Sequence, residues 1–246
     1  MTARYNRVLI KLSGAAVAGP RDFGFDPEAL EHIAAEVLSV AEMGVEVAIV
    51  IGGGNIFRGN VGEAWGLERA EADTIGVLGT VINSLMLRSV LKAHGGQEVR
   101  VMTAVPMNAI TEPFIRLKAI HHLEKSFIVI LAGGTGQPFM TTDYPAVQRA
   151  IELRCDAIFA AKHGVDGIYN NDPKRDPTAR RYRTIGYEDV VRDNLKVMDQ
   201  SAFLLARDFG LPIHLFDFER RGAMTAILRG ENPGTLIGPG TVADLE

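Results

Sequence analysis

Lys11 stands where an apolar run ends and a glycine turn begins, in Val8-Leu9-Ile10-Lys11-Leu12-Ser13-Gly14. A lysine there offers a compact, mobile positive charge suited to phosphate. Two further glycine-rich loops follow apolar, β-branched runs. Val45 to Ile51 leads into Gly52-Gly53-Gly54-Asn55, with Arg58 shortly after, and Phe127 to Leu131 leads into Ala132-Gly133-Gly134-Thr135-Gly136-Gln137-Pro138-Phe139-Met140-Thr141-Thr142-Asp143. Glycine lets backbone N–H groups approach phosphate closely, and the start of a following helix favours negative charge. Three such loops, with a lysine and an arginine among them, point to a site for several phosphates. The familiar phosphate loops are absent. No Gly-Lys pair exists for a Walker A loop, and Gly52-x-Gly54 is followed by Phe57 where a dinucleotide fingerprint needs glycine.

The elements that must hold these loops alternate. Short continuous apolar runs read as buried parallel strands, and ligands of open α/β sheets bind beyond the carboxyl ends of such strands. Asp26-Pro27 caps a helix from Glu28 to Met43, which stops at Gly44. Glu71 to Ala93 reads as a long helix, Val99 to Ala104 as a strand, Glu112 to Leu123 as a helix, Tyr144 to Arg154 as a helix and Ala157 to Ala161 as a strand. Further on come a short strand at Tyr182 to Ile185, a helix from Leu195 to Phe209, a strand from Pro212 to Phe216, a helix from Gly222 to Gly230, and a last strand at Thr235 to Ile237. The pattern predicts right-handed βαβ units in a three-layer α/β/α sandwich with a central, mainly parallel sheet. The polar segment Gly167 to Pro177, with two Asp-Pro pairs, reads either as an ordinary surface excursion or as a lid over a nucleotide, and its length favours a functional loop.

The chain has 246 residues, one cysteine and a net charge of −4. That length suits one α/β domain, and a single cysteine excludes a disulfide framework or a thiolate metal cluster within the chain. A mildly acidic balance argues against sequence-independent nucleic-acid binding. No uncharged apolar stretch approaches the roughly 18 residues of a membrane span, and the N-terminus lacks the apolar core of a signal peptide, so the expected location is cytoplasmic.

Taken together, Lys11 to Gly14, Gly52 to Asn55 with Phe57-Arg58-Gly59, Ala72-Asp73, Gly134 to Asp143, Val165-Asp166-Gly167-Ile168-Tyr169, Asp172-Pro173 and Lys196-Val197-Met198-Asp199 resemble the amino-acid kinase family. The match spans Lys11 to Ile237. The string Thr135-Gly136-Gln137-Pro138-Phe139-Met140-Thr141-Thr142-Asp143 is similar to that of its uridylate-phosphorylating branch. The resemblance implies the reaction ATP + UMP giving ADP + UDP with Mg²⁺, in pyrimidine nucleotide (CTP) biosynthesis. It implies ATP contacts at Lys11, Leu12, Ser13, Gly14, Gly54, Arg58, His163, Tyr169 and Asp172. It implies UMP contacts at Gly53, Asp73, Thr135, Gly136, Gln137, Pro138, Phe139, Met140, Thr141 and Thr142. Residues 1–246 would be one domain, with an acceptor half up to about residue 155 and a donor half from about 156. It also implies a homo-oligomer, a hexamer, with GTP as activator through Gly19, Pro20, Arg21, Asp22, Phe23 and Gly24, and UTP as inhibitor. No protein-built metal cage is expected.

Several residues admit two readings. Asp73 would serve as a helix cap near Thr74 or hold the UMP ribose. Asp143 reads equally as the N-cap of the helix at Tyr144-Pro145 and as a catalytic carboxylate. Lys162 reads equally as a second charge-neutralising lysine and as an ordinary strand end. Asp199 reads as structural or regulatory within a helix, and His121-His122 as a solvated face. Ala15 and Gln137 depart from the family pattern, as does much of Gly19 to Gly24, and His163 sits at a variable position. The rival functions are a small-metabolite kinase of the same fold and a non-catalytic nucleotide sensor. The second would be expected to lose Lys11 or the Thr-Thr-Asp string, which this chain keeps.

Overall fold

Every apolar run that closes on a glycine turn forms a strand. The computed structural model describes residues 3–58, 62, 65–173, 175–195 and 197–246, so Gly59, Lys174 and Lys196 lie outside the described residues. Along the chain run β1 (Arg7–Leu12), α1 (Gly14–Ala18), α2 (Pro27–Glu42), β2 (Glu46–Ile51), α3 (Arg69–His94), β3 (Val99–Thr103), β4 (Glu112–Pro113), α4 (Arg116–Glu124), β5 (Ile128–Ala132), α5 (Asp143–Glu152) and β6 (Ala157–Lys162). There follow β7 (Ile168–Tyr169), β8 (Arg181–Gly186), α6 (Tyr187–Arg192), α7 (Gln200–Asp208), β9 (Ile213–Asp217), α8 (Ala223–Leu228), β10 (Thr235–Gly238) and β11 (Asp244–Leu245).

Among the described residues the strands form one sheet in the order β11-β8-β10-β9-β6-β1-β2-β5-β3-β4, with β7 paired to β8. The pairs from β9 through to β4 are parallel, whereas β10 runs antiparallel to β9 and β11 to β8. Strand side chains alternate between faces. Val8, Ile10 and Leu12 of β1 and Val47, Ile49 and Ile51 of β2 therefore enter one core, beside Ile33 and Val37 of α2, Leu87 and Leu91 of α3 and Ile227 of α8. Leu9, Ala48 and Val50 enter the other, beside Leu123 of α4, Val147 of α5 and Phe203 of α7. The result is the expected three-layer α/β/α sandwich.

The helix ends follow local chemistry. Asp26 accepts the N–H of Ala29 at 3.0 Å, with Pro27 in the first turn, and Gly44 at φ +79° ends the chain's run past α2. By length and composition α3 is apolar enough to cross a membrane. It instead lies against α2, β2, β3 and β5, burying Leu87 and Leu91.

Some expected elements differ. The helix anticipated from Glu112 begins at Arg116, because Pro113 holds its predecessor extended and Glu112-Pro113 pairs as β4 with β3. The helix anticipated over Leu195 to Phe209 is confined to Gln200–Asp208, with a separate short α6 upstream. Asn194 at φ +50° breaks the helical path between them. Helix α1 and strands β4, β7 and β11 are too short to give a periodic signal. His122 is not on a solvated face: its Nε2 lies 3.0 Å from Glu112 Oε2 and its ring stacks on Phe127, while His121 is exposed.

Candidate active site

Strand β1 is flanked by β2 and β6, so Lys11 sits in register with Val50 on one side and Ala160 on the other. Its side chain shares the face of Leu9 and so points toward the α5 layer. There Lys11 Nζ meets Asp143 Oδ1 at 2.5 Å, with the two side chains only 6% and 14% exposed. The other Asp143 oxygen accepts the backbone N–H of Asp199 at 3.1 Å. Asp143 is the first residue of α5 and Thr142 occupies the cap position, so the carboxylate serves Lys11 rather than the helix end. Asp199 caps α7 by backbone position alone; its carboxylate accepts from the hydroxyl of Thr141.

Lys162, at the end of β6, completes a basic pair. Burial pushes its ammonium below the ordinary lysine range, the charge of Lys11 adds to that, and Asp143 and Asp199 oppose it. Lys162, Asp143 and Asp199 line one opening. Ser13 accepts the N–H of Ala16 at the start of α1. A side chain on Gly14 would strike the backbone nitrogens of Gly54 and Asn55, each 2.7 Å from a Cβ there, so the first two glycine loops touch. The Leu12 side chain is fully buried and its carbonyl takes the N–H of Gly52 at 3.0 Å, leaving only its backbone near any ligand.

Two cavities flank this basic centre. One, of about 340 Å³, is lined by Gly53, Gly54, Arg58, Asp73 and the loop residues Gly134, Thr135, Gln137, Met140, Thr141 and Thr142. Asp73 lies in the second turn of α3, which begins at Arg69, so it is not a cap. Its carboxylate accepts Arg69 Nε at 2.9 Å and the N–H of Phe139 at 2.8 Å. Phe139 is held at φ +65° with its ring exposed, a conformation that costs a non-glycine residue about 1–3 kcal/mol. Pro138 and Gly136 shape the same loop without lining the cavity. Arg58 Nε donates to the carbonyl of Gly54 at 3.0 Å.

The other cavity, about 710 Å³, is walled by the segment from Gly164 to Pro173, including Tyr169 and Asp172, with Asn194, Leu195 and Val197. Those last three also border the opening at Lys162 and Asp143. Tyr169 donates its hydroxyl to Asp166 at 2.9 Å, and burial together with that bond raises its phenol. Arg181 holds Asp166 in turn at 3.2 Å.

His163 is set apart from Tyr169 and Asp172. Its Nδ1 is 3.2 Å from Glu219, and it lines a separate cavity of about 380 Å³ with Gly19, Pro20 and His32. Arg21 reaches toward Asp26 at 3.8 Å, while Asp22 and Phe23 border a hollow with Arg58 and Trp65. Sequence reasoning passed over three buried polar side chains beneath the loops. Thr80 and Asn83 rise from α3, and Arg149 of α5 donates to the carbonyl of Gly134 at 3.2 Å with its guanidinium 3.9 Å over the Phe114 ring. Two polar residues three apart within the uncharged stretch from Ile75 to Leu87 were the available signal for Thr80 and Asn83.

Glycine loops, two lysines and a carboxylate at the carboxyl ends of adjacent parallel strands define an α/β protein built to handle phosphoryl groups. The amino acid kinase family model matches residues 6–217. The chain belongs to the amino acid kinase family. It is 62% identical over 235 residues to a uridylate kinase of Frankia alni, covering 96% of this chain and 92% of that one. It is 48% identical to a uridylate kinase of Ruegeria sp., covering 96% and 94%. The crystal structure of a UMP kinase from Bacillus anthracis superposes with a TM-score of 0.96 at 57% identity, covering 98% of this chain and 99% of that one. A UMP kinase from Ureaplasma parvum gives 0.90 at 30% identity, covering 96% and 100%.

Proposed function

We propose that this protein is a nucleoside monophosphate kinase that moves the γ-phosphoryl group of ATP directly to UMP, giving UDP and ADP, a step in supplying pyrimidine nucleotides. The observation that carries the reading is the Lys11–Asp143 pair beside Lys162, lying between a cavity bounded by the Thr-Thr-Asp loop and one bounded by Tyr169 and Asp172. The first cavity suits UMP, with Asp73 facing the ribose. The second suits the adenine end of ATP.

A UMP phosphate oxygen attacks the γ-phosphorus in line. The bond from that phosphorus to the β,γ-bridging oxygen breaks, and ADP leaves with the electron pair. UMP presents an ionised phosphate, so no general base is needed. Lys11 and Lys162 neutralise charge that spreads over the moving group, and the loop N–H groups at Gly14, Gly53 and Gly54 hold the phosphates in place. Asp143 fixes where the Lys11 ammonium sits. Mg²⁺ arriving with ATP would neutralise phosphate charge, held by phosphate oxygens and water with at most one or two carboxylates, as that ion commonly is.

We assign Leu12 and Ser13 to ATP, and Gly136, Pro138 and Phe139 to UMP, with Arg58 kept for ATP phosphates only where they reach the first cavity, which it lines, and His163 at the margin because it opens on another cavity. The half up to about residue 155 would carry the acceptor and the half from about 156 the donor. The exposed apolar residues Ile75, Leu78, Ile82 and Met86 along α3 support association with further copies, for which a hexamer is the expected state. GTP activation through Gly19 to Gly24 and UTP inhibition are the expected regulation. ADP release measured across UMP, CMP, deoxyUMP, carbamate and acetylglutamate tests the reading. Turnover with UMP exceeding the others is expected; preference for carbamate or acetylglutamate would overturn it.

A further inference from the structure

We propose that the inner edge of α3 is a ruler that sets the second and third glycine loops against one another, with Thr80 and Asn83 as its positioning residues. The inference rests on the UMP kinase reading. Neither side chain is part of the set assigned to substrate, although Thr80 borders the floor of the first cavity, and both are buried: Thr80 is 9% exposed and Asn83 fully enclosed.

Asn83 spends its whole amide on the second loop. Its Nδ2 donates to the carbonyl of Gly52 at 2.6 Å and to Asn55 Oδ1 at 2.6 Å, while its Oδ1 accepts from Asn55 Nδ2 at 3.1 Å. Asn55 uses its second amide hydrogen on the carbonyl of Gly24, at 2.8 Å. Such a reciprocal amide pair in a dry interior has one register, because any slip leaves buried donors unpaired. The helix backbone adds a steric stop. A Cβ on Gly53 would run into the carbonyl of Gly76 and the Thr80 nitrogen, so the loop lies directly on the helix.

One turn earlier, Thr80 serves the third loop. Its hydroxyl accepts the N–H of Gly133 at 2.9 Å and donates to the carbonyl of Val77 at 2.6 Å. Asp73, two turns before that, takes the N–H of Phe139 at the far end of the same loop. A single rigid helix thus grips the acceptor loop at both ends and the phosphate loop at its start. A helix advances about 1.5 Å per residue, so the spacing of these grips is fixed by their sequence separation. Reacting groups misplaced by about 1 Å lose on the order of 100-fold in rate, which gives this spacing its leverage.

The test uses the full chain with steady-state kinetics in both substrates, beside thermal melts. Thr80→Val keeps the shape but drops the Gly133 bond; it is expected to raise KM for UMP about tenfold and to leave KM for ATP within about twofold, from a net bond strength of this size. Thr80→Ser, which keeps the hydroxyl, is expected to restore KM for UMP. Asn83→Ala is expected to lower kcat about tenfold or more with both KM values changing less. A lowered melting temperature with kcat and both KM values within twofold of wild type would overturn the proposal, as would a Thr80→Ser variant no better than Thr80→Val. Should Asn83→Ala fail to fold, the Val and Ser pair decides alone. If wild type does not turn over UMP, the kinase reading fails first, and that result is distinct from a wild type that does so with unresponsive variants.

Discussion

Replacing Asp143 by asparagine separates its role as partner of Lys11 from that of a packing residue. The Lys11 side chain is 6% exposed and its ammonium is 2.5 Å from the carboxylate. Removing one member of a buried pair leaves an uncompensated charge and costs about 3–5 kcal/mol. Asparagine keeps its one oxygen facing Lys11, which favours the lower end, about 3 kcal/mol, although its amide N–H groups then face the N–H of Asp199 and cannot accept it. For a domain of this length each kcal/mol shifts Tm by about 2–4 °C, so the empty variant should melt about 6–12 °C below wild type. Saturating ATP and UMP should narrow that gap, because phosphate oxygens supply the counter-charge that Lys11 has lost. In kcat the misplaced ammonium should cost on the order of 100- to 1,000-fold, the scale for losing one preorganised charge-stabilising group. The pH profile gives a second readout. Lys162 is held low by burial and by Lys11, and Asp143 is one of the groups that pull it back up. Without Asp143 it should lose its proton at still lower pH, moving the alkaline limb of kcat downward in pH. Differential scanning fluorimetry with and without nucleotides, and rates from pH 6 to 10, make the measurement. A variant within tenfold of wild type in kcat, with an unmoved alkaline limb and a Tm loss unaffected by nucleotides, would refute the reasoning.

Lys11→Ala breaks the same buried pair and should melt lower, yet remain folded by circular dichroism at 25 °C while losing on the order of 1,000-fold in rate, the scale for a charged clamp in phosphoryl transfer; a folded variant within tenfold of wild type would remove Lys11 from the catalytic set. If Asp73 holds the ribose, deoxyUMP leaves part of its carboxylate unpaired at about 1.5–3 kcal/mol, or on the order of 10- to 150-fold in kcat/KM. Asp73→Asn should shrink that preference, and an unchanged ratio would confine Asp73 to holding the N–H of Phe139. His214 is 1% exposed against Tyr5, and burial with the nearby Arg4 charge lowers it to about 3. Its folded value lies below the unfolded 6.5, so its contribution to stability is complete above about pH 6.5 and is lost as pH falls, by up to about 1.4 kcal/mol per unit. Urea melts from pH 7 to 4 should show a shallower decline for His214→Leu than for wild type, and parallel slopes would contradict the assignment.

The strands and the site's loops were legible in the sequence for one reason: a buried parallel strand needs no alternation, so an uninterrupted apolar run followed by glycine is unambiguous. Lys11, Asp143 and Lys162 could be named because each closes or follows such a run. What joins them is not legible, since the Lys11–Asp143 contact spans 132 positions and depends on β1 lying between β2 and β6. The sequence places Asp199 within a helix because Leu195 and Val197 mimic an apolar face, while in the structure Asn194 in the left-handed region breaks the path. The anchoring roles of Thr80 and Asn83 stayed hidden because a polar residue on a long helix ordinarily faces water.

The position of β1 also matters to a chain emerging from the ribosome. Its neighbour on one side, β2, is complete by Ile51, but its other partner, β6, does not begin until Ala157. Until then the growing chain carries a largely apolar strand with one open parallel edge, the feature that invites unwanted pairing. Nor would it hold ATP as proposed, because Lys162 and the Tyr169 segment have not yet been made. A chain stalled or clipped before residue 157 should therefore be caught by chaperones or precipitate rather than persist as an inactive fragment.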